Sequence, residues 1–300
     1  MRNQLKTILL FGVLSALLIG IGGALRPNQL GLFIAIAAVM NIVSYFWSDK
    51  IVLRIYRARP LSETDAPGLH AMVSELAARA QIPKPRLFIV PGAQPNAFAT
   101  GRNPKHGAVA VTEGLMQMLD HREVRGVLAH EMAHIKNRDV LISTAAAVIA
   151  SAITTVANVL TFGAMFGGRR SSSEGGGNPL VLLFTIIVAP IAAVLIQLAI
   201  SRSRELAADQ TGAQLDGDPD GLINALVKLE RAAKVVPPAH AEPATANLFI
   251  VNPFGAREAM AKWFSTHPPM AERISRLEEL RDDSGELRAR RFPRHAAHHV

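Results

Sequence analysis

Cysteine is absent from all 300 residues. That removes thiolate from the possible metal ligands, and it fits a reducing compartment. Aromatic residues are scarce, at 5%. Neither of the two polar stretches, 48–140 and 201–300, carries a compact basic patch interleaved with aromatics. The net charge of +8 is therefore not a nucleic-acid footprint. Charge itself is missing from four long apolar runs, at 7–25, 30–47, 141–166 and 179–200. Each is close to the roughly 20 residues that a helix needs to cross a bilayer core.

The first run is too long for the apolar core of a signal peptide, and no small-x-small cleavage site ends it. The third and fourth are rich in Ala and could also be buried helices of a soluble protein. Pro190 should kink the fourth, which membrane helices tolerate. Basic residues orient the spans. Arg26 is the one charge between the first two, and the link between the third and fourth, "GGRRSSSEGGGN", is a flexible Gly/Ser linker. By contrast Arg2 and Lys6 precede the first run, while Lys50, Arg54, Arg57 and Arg59 follow the second. The positive-inside rule then puts both termini and both polar regions in the cytoplasm. The positive charge reads as lipid-facing flanks.

Within the first polar region, "LSETDAPGLHAMVSELAARAQI" has the apolar spacing of a helix. The short runs "RLFIV", "NAFAT" and "GAVAVT" follow, separated by Pro, Gly and Asn, and read as strands of a small sheet. Asp120 with Glu123 three residues later is a capping box, so a helix starts there. That helix carries "AHEMAH". Residues four apart share a helix face, so His130 and His134 can point at one Zn²⁺, with Glu131 turned about 100° to the side as a base for the attacking water. The nearby His121 is too far along the helix to share the metal. Chance would produce this pattern on the order of once per hundred chains of this histidine content, so a third ligand is needed to give it weight.

The topology nominates one. The third run begins soon after His134, and the fourth returns the chain to the same membrane face, where it emerges as "SRSRELAADQTGA". An antiparallel hairpin brings Glu205 back toward His134. Asp209, one turn further on the same face, is suited to hydrogen-bond the outer nitrogen of a ligand histidine. The plainer reading is a solvated cluster of Arg202, Arg204, Glu205 and Asp209 beside the membrane.

HExxH ahead of an apolar hairpin, then "ELAADQTGA", resembles the HtpX family of membrane-bound zinc metalloproteases, relatives of the CAAX prenyl proteases. The likeness extends over nearly the whole chain, through "PNAFATG" and "STHPPMAERI". It implies one zinc per chain held by His130, His134 and Glu205, Glu131 as general base, and Asp209 behind the ligands. It further implies that His267 and Arg273 line the active site and steady substrate or oxyanion. From the residues alone, His267 is a helix-entry residue before Pro268-Pro269. Asn96, Ala97 and Phe98 match the family's edge strand, which would take an extended substrate by β-addition; a plain core strand is the simpler reading. The final "RHAAHHV" reads as a disordered basic tail rather than a metal site.

The expected architecture is a mainly α integral-membrane protein, with two transmembrane hairpins and a zincin-like cytoplasmic catalytic domain holding a small β-sheet. Its parts are a first hairpin (1–48), a catalytic region with the sheet and HExxH helix (49–140), a second hairpin (141–200), a second catalytic region (201–285) and a basic tail (286–300). The expected activity is zinc-dependent endopeptidase action at the cytoplasmic face of a bacterial inner membrane. Damaged or unfolded membrane proteins would be the substrates and the lipid bilayer the other partner, with no nucleic acid. An intramembrane-cleaving metalloprotease would carry HExxH inside an apolar run, whereas "KNRD" separates His134 from the third one. A non-catalytic membrane scaffold would tolerate replacement of Glu131.

Overall fold

The computed structural model describes residues 30–149, 202–235 and 268–291, together with Leu248, Ile250 and scattered positions between 5 and 28. Side chains of the last helix are described as far as Arg281. The fourth apolar run, most of the first, the third beyond Ile149, the Gly/Ser link, His267 and the chain from 292 lie outside the described residues.

Helix α1, Leu30–Ile55, is the one described helix long and apolar enough to cross a membrane, with a mean hydropathy of 2.0. Its large apolar side chains, among them Ile34, Val39 and Ile42, are exposed. The small residues Ala37, Ser44 and Ser48 lie on its buried side, where a neighbouring helix can come close. Asn41 Nδ2 donates to Ser15 Oγ at 2.7 Å, tying the first apolar run to the second. The helix continues past the apolar run because Val52, Leu53 and Tyr56 find a core in the domain.

That core sits under one face of a four-stranded sheet. The strands are β1 (Arg59–Pro60), β2 (Arg86–Val90), β3 (Ala97–Thr100) and β4 (Ala108–Thr112), in the order β1-β2-β4-β3. β2 and β4 run parallel, and both edge strands are antiparallel to their neighbours. The period of two sorts the side chains onto the two faces. Phe88, Val90, Phe98, Ala108 and Ala110 pack toward α1, while Leu87, Ala97, Ala99, Val109 and Val111 pack into the helical core. The sheet therefore lies between α1 and the helical core. β3 is a sheet edge.

Helix α2 (Pro67–Ala80) buries Leu69, Met72, Val73, Leu76, Ala77 and Ala80, the apolar face its spacing predicts. The short helix α3 (Glu113–Met118) is capped by Thr112. Helix α4 (His121–Lys136) starts at the expected capping box between Asp120 and Glu123. It is the centre of the domain, touched by α2, β3, α6 (Arg202–Asp216) and α7 (Pro219–Val235). Close helix crossings depend on two glycines. A Cβ at Gly126 would stand 2.4 Å from Leu222 N, and one at Gly212 would stand 2.9 Å from His130 Cα. Helix α5 (Val140–Ile149) follows α4 after a sharp break. Helix α8 (Met270–Arg291) starts on Pro269, whose carbonyl accepts from Glu272 N and Arg273 N. It runs through Arg291, so the basic tail expected from 286 is helical at its start.

Candidate metal centre

Helical spacing brings the histidines of α4 together: His130 Nε2 and His134 Nε2 are 3.1 Å apart. Helix α6 crosses α4 at Gly212, and one helical turn of α6 before Asp209 brings in Glu205. Its carboxylate oxygens lie 3.7 Å from each of those nitrogens. Ligand atoms of the three residues fall within 4.8 Å of one another. A tetrahedral ion with bonds near 2.0–2.2 Å needs ligands about 3.4 Å apart, and the observed separations bracket that value. The three residues therefore fit a metal ion. Glu131, buried beside them, is not one of the trio.

The outer nitrogens are each met by a carboxylate. His130 Nδ1 lies 2.9 Å from Asp209 Oδ1, the partner its place on α6 suggests. His134 Nδ1 lies 3.2 Å from Asp139 Oδ1. An Nδ1–H held by a carboxylate leaves Nε2 as the lone-pair atom, which metal ligation requires. Nothing in the local pattern flags Asp139. It reaches His134 because Arg138 adopts a left-handed conformation (φ 57°) and reverses the chain between α4 and α5. Glu205, Asp209 and Arg204 are all buried, so they are not a solvated cluster beside the membrane.

Arg273 departs from expectation. The sequence reading gives it to substrate or oxyanion, yet its side chain is fully buried and committed inward. Its Nε and Nη2 donate to the two Asp209 oxygens at 2.8 and 2.7 Å, and Nη1 donates to the Ile250 carbonyl. The guanidinium fork thus fixes the carboxylate that fixes His130. Its partner in the expectation, His267, lies outside the described residues.

A cleft opens over the trio, walled by Phe98 and Ala99 of β3, Val140 and Ser143 of α5, and Leu248 and Ile250. The last two come from a stretch, 234–262, in which the sequence shows no motif. Asn96 is not among the residues that wall the cleft. It stitches the start of β3, bonding with Thr112 through both backbone groups and accepting from Ile250 N through Oδ1. Since Asn96 bonds inward to β4, the alternation of an antiparallel pair turns the backbone groups of Ala97 and Ala99 toward the free edge. Ala99 N–H is taken by Glu131. Phe98 packs its ring toward α1, 5.3 Å from Tyr56.

Burial and charge tune the groups. Burial pushes the Glu131 carboxyl up to about 7, against the pull of His134. Burial also lowers His130, despite Asp209. It acts in the same sense on His134, but Asp139, Glu205 and Glu131 carry that imidazole up to about 10. At Asp209 burial works upward and is outweighed by Arg273 and His130, which hold it at about 2. A cation among these groups favours neutral imidazoles and ionised carboxylates, so metal binding releases protons here.

Residues 63–281 match the model of peptidase family M48. Proteins named "Protease HtpX homolog" are similar along nearly their whole length. The one from Pelotomaculum thermopropionicum is 54% identical over 280 residues, 93% of this chain and 99% of that protein. Those from Syntrophobacter fumaroxidans and Pyrococcus furiosus are 52% and 51% identical, and 93% of this chain aligns with each, over 100% and 96% of their lengths. Among solved structures, S. mikatae Ste24p is matched with a TM-score of 0.48 and 18% identity, over 89% of this chain and 65% of that one.

Proposed function

The chain belongs to peptidase family M48, and from that membership we propose that it is a zinc endopeptidase whose site opens at the cytoplasmic face of the membrane. It is a membrane-bound protease of a metal-dependent family. The reading beyond that rests above all on one observation: two imidazole nitrogens and a carboxylate converge within 4.8 Å beside a buried carboxylate that is not among them.

In this proposal His130, His134 and Glu205 hold zinc, which when bound supplies Lewis acidity to the scissile carbonyl and acidifies the attacking water. Glu131 takes the water's proton and hands it to the leaving amine. Its depressed acidity suits that work, because a base near pH 7 can both accept and return a proton. Asp209 and Arg273 are positioning residues for His130. His267 is left as a candidate donor to the oxyanion.

An extended polypeptide adds to the free edge of β3, against the backbone of Ala97 and the carbonyl of Ala99, with Asn96 holding the strand's start and Phe98 its membrane-side face. This geometry favours unfolded segments over folded loops, because strand addition needs an extended backbone. The sheet's place against α1 supports substrates that arrive from the membrane, and damaged or misfolded membrane proteins are the class proposed. α4 is packed inside the domain rather than in an apolar run, which favours cleavage at the membrane surface over cleavage within it. Both hairpins span, with termini inside.

The test uses purified full-length protein in vesicles and an unfolded polypeptide substrate. Chelation should abolish cleavage, and one equivalent of zinc should restore it. A reporter inserted in Ser171–Ser173 should be external and one at Val300 cytoplasmic. Cleavage that survives chelation, or an internal serine-loop reporter, would count against the proposal.

A further inference from the structure

The connection between β3 and β4, "GRNPKHG" (101–107), belongs to neither the metal trio nor the walls of the cleft. It is nevertheless closely built. Gly101 has φ 141°, and a Cβ there would stand 2.5 Å from the His106 carbonyl oxygen, so the chain closes only with glycine. Arg102 Nη2 donates to His106 Nε2 at 2.8 Å. That leaves Nδ1 of the same ring to donate to Asn103 Oδ1 at 2.9 Å. A turn meant only to join two strands needs no such bracing.

Both ends of this hairpin are tied to α1. The Arg102 guanidinium lies over the Phe46 ring, 5.5 Å from its centre. At the other end the Gly107 carbonyl accepts from Arg86 N, and Arg86 Nη2 donates to Asp49 Oδ2 at 3.0 Å. Phe46 belongs to an exposed trio with Tyr45 and Trp47, in edge-to-face contact at the end of the apolar run. Aromatic side chains collect where a membrane span reaches the lipid headgroups. The charge around the trio is of one sign. Residues 91–112 contain no Asp or Glu, Asp49 is occupied by Arg86, and Lys105 on the hairpin and Lys50 on α1 are exposed.

We propose that the hairpin 101–107 is a membrane-surface contact, which takes the phosphate of anionic phospholipid headgroups through Arg102 and Lys105. The proposal rests on the reading of α1 as a membrane span. A basic, carboxylate-free loop fixed at the aromatic end of a span complements an anionic leaflet, and each basic residue there adds to the attraction. The contact also orients the substrate strand. β3 ends at Thr100, one residue before the hairpin, so its free edge starts at headgroup level. An extended segment drawn out of the bilayer meets β3 at Thr100 first and runs along it toward Ala97.

The experiment uses full-length protein in phosphatidylcholine vesicles, a fixed fraction of whose lipid carries a nitroxide on its headgroup. The chain has no cysteine, so Pro104→Cys provides a single thiol for a fluorophore at the hairpin's tip. Ser74→Cys, exposed on α2, is the aqueous reference, and Ile42→Cys, exposed on α1, reports the span. The fluorophore at 104 should be quenched clearly more than the one at 74. Replacing unlabelled phosphatidylcholine with phosphatidylglycerol should relieve that quenching, because the anionic headgroup takes the places beside the hairpin. Lys105→Gln should lower this preference about fivefold, the scale of one basic side chain at an anionic surface. Adding Arg102→Gln should abolish it. Quenching at 104 no greater than at 74 would mean that the hairpin faces water or another protein, and would overturn the proposal. So would a phosphatidylglycerol preference unchanged in either variant. Lipid brominated in its acyl chains should quench the fluorophore at 42. If it does while 104 stays unquenched, the hairpin contact alone falls; if it does not, the membrane reading of α1 falls with it.

Discussion

Helices α1 and α4 invert each other. α1 exposes Ile34, Val39 and Ile42 and buries little, while α4 buries His130 and Glu131 along with its apolar residues. In water each would be a poor bargain. The apolar surface of α1 would be stable against lipid, where no hydrophobic penalty applies. The polar groups of α4 each face a compensating group: Glu131 the Ala99 backbone, His130 the Asp209 carboxylate at 2.9 Å, and His134 the Asp139 carboxylate at 3.2 Å. The difference teaches that exposure alone misleads in this chain. What matters is what each face suits, an apolar medium for one helix and a charge network for the other.

Removing a ligand should break the α4 side of the comparison most completely. Glu205→Ala should lose bound metal and all cleavage while remaining in the membrane, since Glu205 is not part of an apolar run. Metal analysis of the purified variant checks it, and stoichiometric zinc in that variant would contradict the ligand set. Next in size is a charge on α1. Ile36→Asp near the middle of the apolar run should cost about 3 kcal/mol of insertion and lower the membrane-inserted fraction. The same substitution at exposed Ile55, beyond the run, should be nearly silent. Equal insertion of the two variants would show that α1 does not face lipid.

Smaller effects sharpen the picture. Gly212→Ala pushes a methyl against the His130 backbone. It should lower stability by about 1–3 kcal/mol and weaken metal binding, whereas Gly68→Ala, with open space around it, should do neither. Denaturant melts and metal titration of the pair decide this. The smallest expected effect is in pH. Glu131 works only when ionised, and burial sets its carboxyl at about 7. A bound cation pulls it down. Cleavage should therefore rise with pH along an acid limb whose midpoint is at 7 or below. Glu131→Asp, which keeps the carboxylate, should move that limb; a midpoint clearly above 7 would mean another group controls it.

Much of this was legible because local rules and global fold agree. Strand alternation gave β2, β3 and β4 within a residue of their ends, and the Asp120/Glu123 box marked the start of α4. Helical periodicity placed His130, Glu131 and His134, and a return of the chain suggested Glu205 and Asp209. The misses share one cause, in that a contact made across the fold leaves no periodic trace. Asp139 depends on the left-handed turn at Arg138, an unfavourable conformation that no residue preference announces. Arg273 sits in a motif that suggests substrate, but the approach of α8 to α6 spends its donors on Asp209. β1 is two residues long and includes a proline, too short to alternate. Ile250 enters the cleft from a stretch without a sequence motif, fixed by Asn96 and Arg273 rather than by any pattern of its own.

The central claim is that Glu131 performs the proton chemistry while three other residues hold the metal. The most direct test is Glu131→Gln in the full-length protein, assayed for zinc content and for cleavage of an unfolded polypeptide. The amide cannot take a proton, so zinc should stay at one per chain while the rate falls by about 10²–10⁴-fold. Zinc lost along with activity would make Glu131 part of the metal site. Full zinc with undiminished cleavage would place the base elsewhere and contradict the account.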